Sequence, residues 1–340
     1  MIRKSVDRLH PYVPGEQPKD PSIIKLNTNE NPYPPSPAVT QSLLRNFDLA
    51  SLRKYPDPVA LELREAIAAL HGADAAQVIV GNGSDELLAY CTRAFVEPAG
   101  SIGYFEPSYS LYPVLSDIVD VQTKPMPLMD DLTWQMTPDY KADLFFITQP
   151  NAPTSMAHDK ETIRAFCESF RGVVVVDEAY VDFAEFDCLD LAMSLPNVLV
   201  MRTFSKSYSL AGIRLGYAIG PEPLIEALFK IKDSYNLNGL TQAAGLAAIK
   251  DQHWMKSNVA KVVATRERIA AHLSERGFDV LPSQTNFLFI KPADETAEAL
   301  FRRLRERKII ARYFPEGVTS DFLRVTVGTD EEMDAFLAAL

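Results

Sequence analysis

Short runs of apolar residues alternate with longer amphipathic segments along most of the chain. Six of these runs have the length of a strand: Val78–Val80, Ile102–Phe105, Leu144–Thr148, Val173–Val176, Val198–Met201 and Tyr217–Ile219. Strands that are apolar on both faces are typical of a parallel sheet covered by helices on both sides. The pattern therefore predicts an α/β fold built on a large, mostly parallel sheet flanked by helices.

The pattern changes towards both ends of the chain. Ten of the 24 prolines lie in the first 60 residues, which excludes a long helix there and predicts an extended arm. After Pro221, three helical segments precede four short candidate strands and two further helices, which indicates a smaller α/β domain. We therefore expect an N-terminal arm over residues 1–35, a large domain over 36–235 and a small domain over 236–340.

Composition narrows the class of protein without giving its activity. The 340 residues are 47% hydrophobic and 23% charged, which is typical of a globular protein and not of a disordered or fibrous one. The formal net charge of −11 argues against a nucleic-acid partner. Three scattered cysteines and five histidines without ligand spacing predict neither a disulfide framework nor a metal site. The N-terminal segment lacks the apolar core of a signal peptide, and no apolar run reaches the ~18 residues of a membrane span. We expect a cytoplasmic protein without a membrane partner.

Polar side chains follow four of the candidate strands directly. The segments after them are GNGSDE, QPNAPT, DEAY and RTFSK, which begin at residues 81, 149, 177 and 202. In an open parallel sheet, ligands bind beyond the carboxyl ends of the strands. The sequence therefore predicts a ligand site at this edge of the sheet.

The chemistry of these segments suits one cofactor. Singly, each has an ordinary explanation: GNGSDE as a capped turn, Asp177 as a helix cap, Lys206 as a surface lysine and Arg214 as an ion-pair partner. Together they supply an amine for covalent bonding, a carboxylate for a protonated pyridine nitrogen and a helix N-terminus for a phosphate. This set predicts pyridoxal 5'-phosphate. A nicotinamide cofactor is disfavoured, because GNG is an incomplete dinucleotide fingerprint and leaves Lys206 without a role.

Eight motifs carry a resemblance over essentially the whole chain. They are LNTNENP, KYPDP, GNGSDE, PSYSLY, PNAPT, DEAY, TFSKSYSLAGIRLGY and FLRVTVGT. With them the chain resembles the fold-type I, class II-like aminotransferases, and within these the histidinol-phosphate aminotransferases. The resemblance implies a ping-pong reaction of histidine biosynthesis, in which an amino group moves between histidinol phosphate and 2-oxoglutarate. It also implies a homodimer with a shared active site.

The resemblance also implies roles for individual residues. Lys206 would bond covalently to the cofactor and move a proton, Asp177 would pair with its pyridine nitrogen, and Tyr180 would contact its ring oxygen. The other cofactor contacts would be Ser84, Asp85, Tyr109, Asn151, Ser205 and Arg214, with Tyr55 reaching the phosphate from the partner subunit. Substrate would be bound by Tyr12, Asn29, Arg312 and Arg324. Strand alternation supports Arg324, because it puts this side chain on the face opposite Leu323 and Val325.

The sequence departs from the family pattern in one motif. The family reads PNNPTG where this chain reads PNAPTS, so Ala152 and Ser155 replace an asparagine and a glycine. If the ligand of the ring oxygen belongs at position 152, Tyr180 carries that contact alone. A serine at position 155 would reshape a turn that needs a permissive backbone.

The sequence leaves two other activities and one non-catalytic role to consider. Threonine-phosphate decarboxylases share nearly all of these motifs, and an aromatic or broad-specificity aminotransferase would share the catalytic ones. A non-catalytic, aminotransferase-like regulator is disfavoured, since Lys206 is present and the proline-rich arm is too short for a DNA-binding helix-turn-helix.

Overall fold

The computed structural model describes residues 1–9, 14–46, 52–137 and 139–340. The strands in these ranges are β1 Ile24–Lys25, β2 Val78–Gly81, β3 Ser101–Glu106, β4 Gln122–Pro127, β5 Leu144–Thr148, β6 Val173–Asp177, β7 Val198–Thr203, β8 Gly216–Ile219, β9 Asp279–Val280, β10 Phe287–Lys291, β11 Ile309–Ile310, β12 Arg312–Tyr313 and β13 Leu323–Thr326. The helices are α1 Lys4–Asp7, α2 Pro37–Asn46, α3 Leu61–His71, α4 Ser84–Phe95, α5 Leu111–Val119, α6 Lys160–Ser169, α7 Leu189–Ser194, α8 Glu222–Ile231, α9 Gly239–Lys250, α10 Gln252–Glu275, α11 Ala297–Glu306 and α12 Asp330–Ala338.

A seven-stranded sheet forms the large domain, in the order β2-β8-β7-β6-β5-β3-β4. Neighbouring strands are parallel from β7 to β4, and β8 runs antiparallel to both β7 and β2. All six predicted strands are present. The prediction of a large, mostly parallel sheet in an α/β fold is confirmed.

The central strand β6 shows why the sheet needs helices on both faces. Val175 packs into one hydrophobic cluster with α4 and α5, whereas Val174 and Val176 pack into another with α6 and α7. Successive side chains of a strand point to opposite faces, so an uninterrupted valine run buries both. The apolar runs of the sequence therefore position the sheet in the middle of the domain.

Strand β4 was not among the predicted strands. It carries Pro125 and Pro127 in the segment QTKPMP and forms the edge of the sheet beside β3. Proline cannot donate to a strand ladder and is tolerated at a sheet edge. A partly exposed edge strand needs no apolar run, so periodicity did not reveal it.

The small domain contains an antiparallel sheet in the order β12-β13-β10-β9. The predicted strand Ile309–Tyr313 is divided: β12 joins this sheet, whereas β11 pairs in parallel with β1 of the arm. Leu26, directly after β1, is buried in the small-domain core. The arm is thus anchored on the small domain where it enters the site.

The predicted division of the chain at residue 236 stays a prediction, and the packing bears on it. Helix α9 buries Ala244 and Ala248 in the same cluster as Leu63 of α3 and Leu215 near the large sheet. Helix α10 then reaches the small domain, where Ile269 lies in its core. Helix α9 therefore packs on the large-domain cluster, and α10 contributes to the small-domain core.

Within the described ranges, no helix is long and apolar enough to cross a membrane.

Candidate active site

A cleft of about 420 Å³ lies at the carboxyl ends of β5, β6 and β7, where Thr148, Asp177 and Thr203 line it. Arm and small-domain residues close its other side, among them Asn27, Thr28 and Phe314. Most of the predicted site residues line this one cleft: Asn29, Ser84, Asp85, Tyr109, Asp177, Tyr180, Ser205, Lys206, Arg214, Arg312 and Arg324. The predicted edge of the sheet is therefore where the functional groups converge.

Lys206 follows β7 and extends into the cleft. Its Nζ donates to the carbonyl oxygen of Thr28 at 3.1 Å and lies 5.7 Å from the centre of the Tyr180 ring. Burial, and next the positive charge of Arg324, lower the pKa of this amine to about 8. A lysine with such a pKa supplies an appreciable fraction of neutral, nucleophilic amine near neutral pH.

Asp177 ends β6 and is 3% exposed. Its Oδ2 accepts a hydrogen bond from the Tyr112 hydroxyl at 2.9 Å, whereas its buried Oδ1 has no hydrogen-bond partner among the described residues. Burial raises the pKa of the carboxyl to about 6, against the hydrogen bond from Tyr112, which lowers it. A buried carboxylate oxygen without a partner is costly unless a donor from a ligand meets it.

A phosphate-sized cradle lies at the N-terminus of α4. A Cβ on Gly83 would come within 2.6 Å of Arg214 Nη2, and one on Gly216 would come within 2.5 Å of the Ser84 nitrogen. The glycines thus let the helix N-terminus and the guanidinium approach one another. The free N–H groups of a first helical turn and a nearby arginine make an anion site.

Asp85 anchors the cationic side of this cradle. Its carboxylate lies 3.3 Å from Arg214 Nη2 and accepts a hydrogen bond from the Tyr109 hydroxyl at 3.3 Å. The side chain of Ser205 accepts a hydrogen bond from the hydroxyl of Thr203 at 3.0 Å. The contacts of Asp85 thus bring three predicted residues together at the cradle, and Ser205 lines the same cleft.

Asn29 connects the arm, the small domain and Tyr180. Its Nδ2 donates to the Tyr180 hydroxyl oxygen at 2.9 Å, and its Oδ1 accepts from the Thr326 hydroxyl at 3.1 Å. Asn29 is 1% exposed and has a φ of 55°, in the left-handed region that asparagine tolerates better than most residues. Because Tyr180 accepts from Asn29, its own hydroxyl hydrogen is available to an acceptor in the cleft.

Two arginines of the small domain form the opposite wall. Arg312 and Arg324 are paired across the antiparallel strands β12 and β13, and each guanidinium lies 5.5 Å from the centre of the Phe314 ring. Arg324 also donates to the carbonyl oxygen of Asn27 at 2.9 Å. Like charges directly across a sheet repel, and an aromatic face offsets part of that cost. The wall suits a doubly anionic ligand group.

The structure does not bring Asn151 to the cleft, and this predicted contact needs correction. Its Oδ1 accepts from Ser108 at 3.0 Å, and its Nδ2 donates to the carbonyl oxygen of Pro107 at 3.1 Å and to Thr154 Oγ1 at 3.0 Å. The amide is fully buried, and both of its ends are hydrogen-bonded to its own loop or to the segment that follows β3. Ala152 lines the cleft instead and offers no polar side chain.

The expected reshaping of the following turn does not occur. Ser155 adopts a φ of 67°, the left-handed conformation that the glycine of the family motif would provide. Its hydroxyl donates to the carbonyl oxygen of Pro282 at 3.2 Å, which ties the loop to the chain leading into β10. A serine therefore keeps the turn at some cost in backbone strain.

Tyr55 does not line the cleft. The residue is 79% exposed, and its ring stacks on Tyr235 with 4.4 Å between ring centres. Tyr12 lies outside the described residues. Within the described residues, no group of three or more His, Cys, Asp or Glu side chains could hold a metal ion.

Sequence reasoning missed the residues that support the catalytic ones. Tyr112, Thr148 and Ser108 form the hydrogen-bonded surroundings of Asp177, and both arginines of the wall contact the ring of Phe314. Tyr112 lies in the quoted motif PSYSLY and Phe314 follows Arg312 by two positions. Their roles depend on distances between separate elements, which the motifs do not contain.

Comparisons with known proteins agree with this architecture. Residues 21–340 match the sequence profile of the family Aminotransferase class I and II. The chain is 46% identical to a histidinol-phosphate aminotransferase of Chromohalobacter salexigens, over 99% of this chain and 97% of that one. It is 45% identical to the enzyme of that name from Brachyspira hyodysenteriae, over 97% and 94%.

The structural comparison gives the same family. A crystal structure of histidinol-phosphate aminotransferase from Sinorhizobium meliloti, in complex with pyridoxal-5'-phosphate, superposes with a TM-score of 0.86 and 27% identity. That match covers 93% of this chain and 89% of the other. The motifs, the fold and the converging site agree with a family match over nearly the whole length. The chain belongs to the class I and II aminotransferase family.

Proposed function

We propose that this protein is a pyridoxal-phosphate-dependent aminotransferase that moves an amino group between histidinol phosphate and 2-oxoglutarate in histidine biosynthesis. Relatives of that name are 46% and 45% identical over nearly the full length of both chains. The single observation that carries the proposal is the buried, unpartnered Oδ1 of Asp177 in the same cleft as Lys206 and the phosphate-sized cradle. A cofactor with a protonated ring nitrogen, an aldehyde and a phosphate matches these three features.

The residues present suit that cofactor. Its phosphate would be held by the N-terminus of α4 with Ser84, by Ser205 and by Arg214, while Asp177 Oδ1 would accept from the ring nitrogen. Tyr109 would contact the ring face. When bound, pyridoxal phosphate acts as an electron sink that makes the Cα hydrogen of an amino substrate acidic.

Lys206 would accept and donate the proton that moves during the reaction. Its amine reaches into the cleft from a backbone fixed between β7 and β8, and its pKa of about 8 lets it both give and take a proton near neutral pH. The Thr28 carbonyl oxygen holds the amine in place through its hydrogen bond. A general base must lie within hydrogen-bond reach of the proton that it moves, and this anchoring keeps Nζ inside the cleft.

Tyr180 would orient the cofactor through its hydroxyl. Asn29 donates to the hydroxyl oxygen, so the hydrogen of Tyr180 can be donated to a ring oxygen in the cleft. Burial raises the pKa of Tyr180, which keeps the hydroxyl protonated and able to donate. With Asn151 turned away, Tyr180 would make this contact without help from that amide.

Arg312 and Arg324 would bind the anionic group of either substrate. A guanidinium pairs with carboxylate and phosphate in the same forked geometry, so one wall can accept glutamate in one half-reaction and a phosphate ester in the other. Asn29 and Tyr12 are proposed to complete the substrate site.

The decarboxylase alternative receives less support. A threonine-phosphate decarboxylase from Porphyromonas gingivalis has the same fold with a TM-score of 0.81, but its 19% identity carries no argument for its activity. A decarboxylase would have to hold the bond to the carboxylate, and not the Cα hydrogen, in line for cleavage.

We also propose a cytoplasmic homodimer in which Tyr55 reaches the partner's phosphate site. The Tyr55 side chain supports this contact because it is exposed, is stacked on Tyr235 and does not line its own cleft. Mixing Tyr55→Ala with Lys206→Ala protomers should restore activity in mixed dimers, up to about a quarter of wild type for random pairing and one intact site per mixed dimer. Two inactive variants that stay inactive when mixed would contradict the shared site.

A substrate panel tests the proposed reaction. Purified enzyme is loaded with pyridoxal phosphate and assayed with 2-oxoglutarate and either histidinol phosphate, phenylalanine or threonine phosphate. We expect histidinol phosphate to have the highest kcat/KM. Activity on phenylalanine without activity on histidinol phosphate would contradict the assignment.

The cofactor is tested separately by its visible absorbance. Lys206→Ala should lose the absorbance of lysine-bound cofactor and nearly all activity, while Lys230→Ala serves as the control. Lys230 is an exposed lysine of α8 that pairs with Glu226 far from the cleft residues. A Lys206→Ala protein with wild-type absorbance would contradict the role of the lysine.

A further inference from the structure

A chain of hydroxyl groups runs from Asp177 to the loop that contains Asn151. Asp177 Oδ2 lies 2.9 Å from the Tyr112 hydroxyl, which lies 2.8 Å from Thr148 Oγ1. Thr148 Oγ1 lies 2.8 Å from Ser108 Oγ, which lies 3.0 Å from Asn151 Oδ1. Four hydrogen-bond contacts thus connect five side chains.

The orientation of the Asn151 amide at the far end is fixed by its surroundings. The other end of the amide contacts the carbonyl oxygen of Pro107, which can only accept a hydrogen bond. Nδ2 must therefore face Pro107, and the oxygen of the amide must face Ser108. Asn151 consequently enters the chain as an acceptor with no hydrogen to give.

The number of hydroxyl hydrogens in the chain is one fewer than the number of contacts. Tyr112, Thr148 and Ser108 each bring one hydroxyl hydrogen, which makes three hydrogens for four contacts. If Asp177 is ionised, both ends of the chain are acceptors and one contact places two lone pairs against each other. If Asp177 carries a proton on Oδ2, four hydrogens serve four contacts, all donated in the direction of Asn151.

We propose that in the cofactor-free protein the chain Tyr112, Thr148, Ser108 and Asn151 favours the form of Asp177 that is protonated on Oδ2, so that Asp177 acts as a hydrogen-bond donor up to a higher pH than it would without the chain. Ser108 and Thr148 are then positioning residues for the reaction, although neither touches Asp177. The arrangement also explains how a buried carboxyl tolerates an Oδ1 without a partner. A neutral carboxyl loses less solvation there than a charged one would.

Two influences around Asp177 favour its protonated form and two oppose it. Burial is the largest influence on its pKa and raises it, and the negative charge of Asp85 on α4 raises it further, whereas hydrogen bonds from Tyr112 and from the Ala179 backbone lower it. Tyr112 on α5 and Tyr180 after β6 are the other titratable groups that interact with it, and burial raises the pKa of both, so they remain neutral. A ligand cation meeting Oδ1 would reverse the balance by favouring the carboxylate.

Infrared spectroscopy of the cofactor-free, full-length protein tests the proposal without any assay of activity. The C=O band of protonated Asp177 is assigned by its loss in Asp177→Asn, and its midpoint is followed against pH. Removing Ser108 leaves two contacts and two hydrogens, and removing Thr148 leaves the same numbers, so an ionised Asp177 then costs no contact. We expect Ser108→Ala and Thr148→Val each to lower the midpoint by about one pH unit, the size of one hydrogen bond.

Ser116→Ala is the matched control. Its hydroxyl lies on the same helix as Tyr112 and donates to the Tyr112 carbonyl oxygen at 3.2 Å, outside the chain, so the midpoint should not move. Midpoints for Ser108→Ala and Thr148→Val that equal the wild-type value would overturn the proposal. So would an Asp177 that titrates in the wild type with the pKa of an exposed carboxyl. These outcomes do not depend on the substrate or on the proposed activity, which would fail separately in the substrate panel.

Discussion

The floor and the far wall of the cleft differ in burial and in the charges that they carry. The floor consists of Asp177, Thr148 and their hydrogen-bond partners, and it is almost completely removed from solvent. The wall consists of Arg312, Phe314 and Arg324, which are half-buried and belong to the small-domain hairpin. The floor carries one carboxyl that burial pushes towards neutrality, whereas the wall keeps two like charges side by side.

From this difference we expect the floor to control reactivity and the wall to control substrate binding. Desolvation shifts the pKa of Asp177 on the floor and of Lys206, which lines the same cleft, so small changes around these two groups alter reactivity. On the wall, the contact of both guanidinium groups with the Phe314 ring and partial access to solvent make the charges tolerable. We therefore expect changes on the floor to act on kcat and cofactor binding, and changes on the wall to act on KM.

Among changes on the floor and the wall, the largest effect is expected for Asp177→Asn. The amide removes the negative charge that would face a protonated ring nitrogen, and kcat should fall by about 10²–10³-fold, the size of one lost preorganised electrostatic contact. Steady-state kinetics and cofactor affinity provide the measurement. Asp190→Asn is the control, because Asp190 forms surface ion pairs with Lys160 and Arg164. Equal kcat for the two variants would contradict the role of Asp177.

The reactivity of Lys206 should show its lowered pKa directly. In cofactor-free protein, the rate of acylation of Lys206 should rise with pH to a midpoint near 8, well below the 10.5 of an ordinary lysine. At pH 8 this makes Lys206 about 10²-fold more reactive per accessible amine than a lysine with the ordinary value. Mass spectrometry of modified peptides measures the rate, with Lys230 as the internal reference. A Lys206 midpoint equal to that of Lys230 would refute the effect of burial.

Arg324→Gln should act on substrate binding. Loss of one charge-assisted hydrogen bond to an anion is worth about 1.5–3 kcal/mol, so KM for histidinol phosphate should rise roughly 10- to 150-fold while kcat changes little. Arg302→Gln is the control, since Arg302 is an exposed residue of α11 paired with Glu298. A fall in kcat with unchanged KM would show that Arg324 acts on the chemical step, as floor residues do. It would contradict the proposed difference between the floor and the wall.

Phe314→Leu should give the smallest effect. Leucine keeps an apolar side chain but loses the ring face that both arginines approach, at about 0.5–1 kcal/mol for each partly exposed contact. For the two contacts together we expect KM to rise about 5- to 30-fold with unchanged cofactor affinity. Phe322→Leu, which alters a ring stacked on Phe289 in the same domain, should leave KM unchanged. Identical kinetics for the two variants would show that Phe314 does not organise the wall.

The sequence predicted the elements and most of the cleft because both depend on local patterns. The apolar runs identified six strands of the large sheet, and the rule for strand ends placed Asp177 and Lys206 at one edge. Edge strand β4 was missed because its prolines and polar positions resemble a loop. Asn151 was misplaced because a motif does not show whether its amide faces the ligand or satisfies its own loop.

The parts that the sequence could not predict depend on distances between separate elements. Tyr112 and Thr148 come from α5 and β5, and only the folded sheet brings their hydroxyl groups to Asp177. The contact between Asn29 and Tyr180 joins positions 151 residues apart. Such contacts set the pKa values and hydrogen-bond directions that determine the chemistry.

The most direct test of the proposed activity is a single half-reaction. Enzyme loaded with pyridoxal phosphate is mixed with histidinol phosphate in the absence of any 2-oxo acid, and the visible absorbance and the ketone product are followed, while released CO2 is followed in a parallel mixture with threonine phosphate. An aminotransferase should convert one equivalent of histidinol phosphate per active site, keep the amino group on the cofactor and release no CO2 from threonine phosphate. No reaction with histidinol phosphate, together with CO2 release from threonine phosphate, would contradict the proposed function.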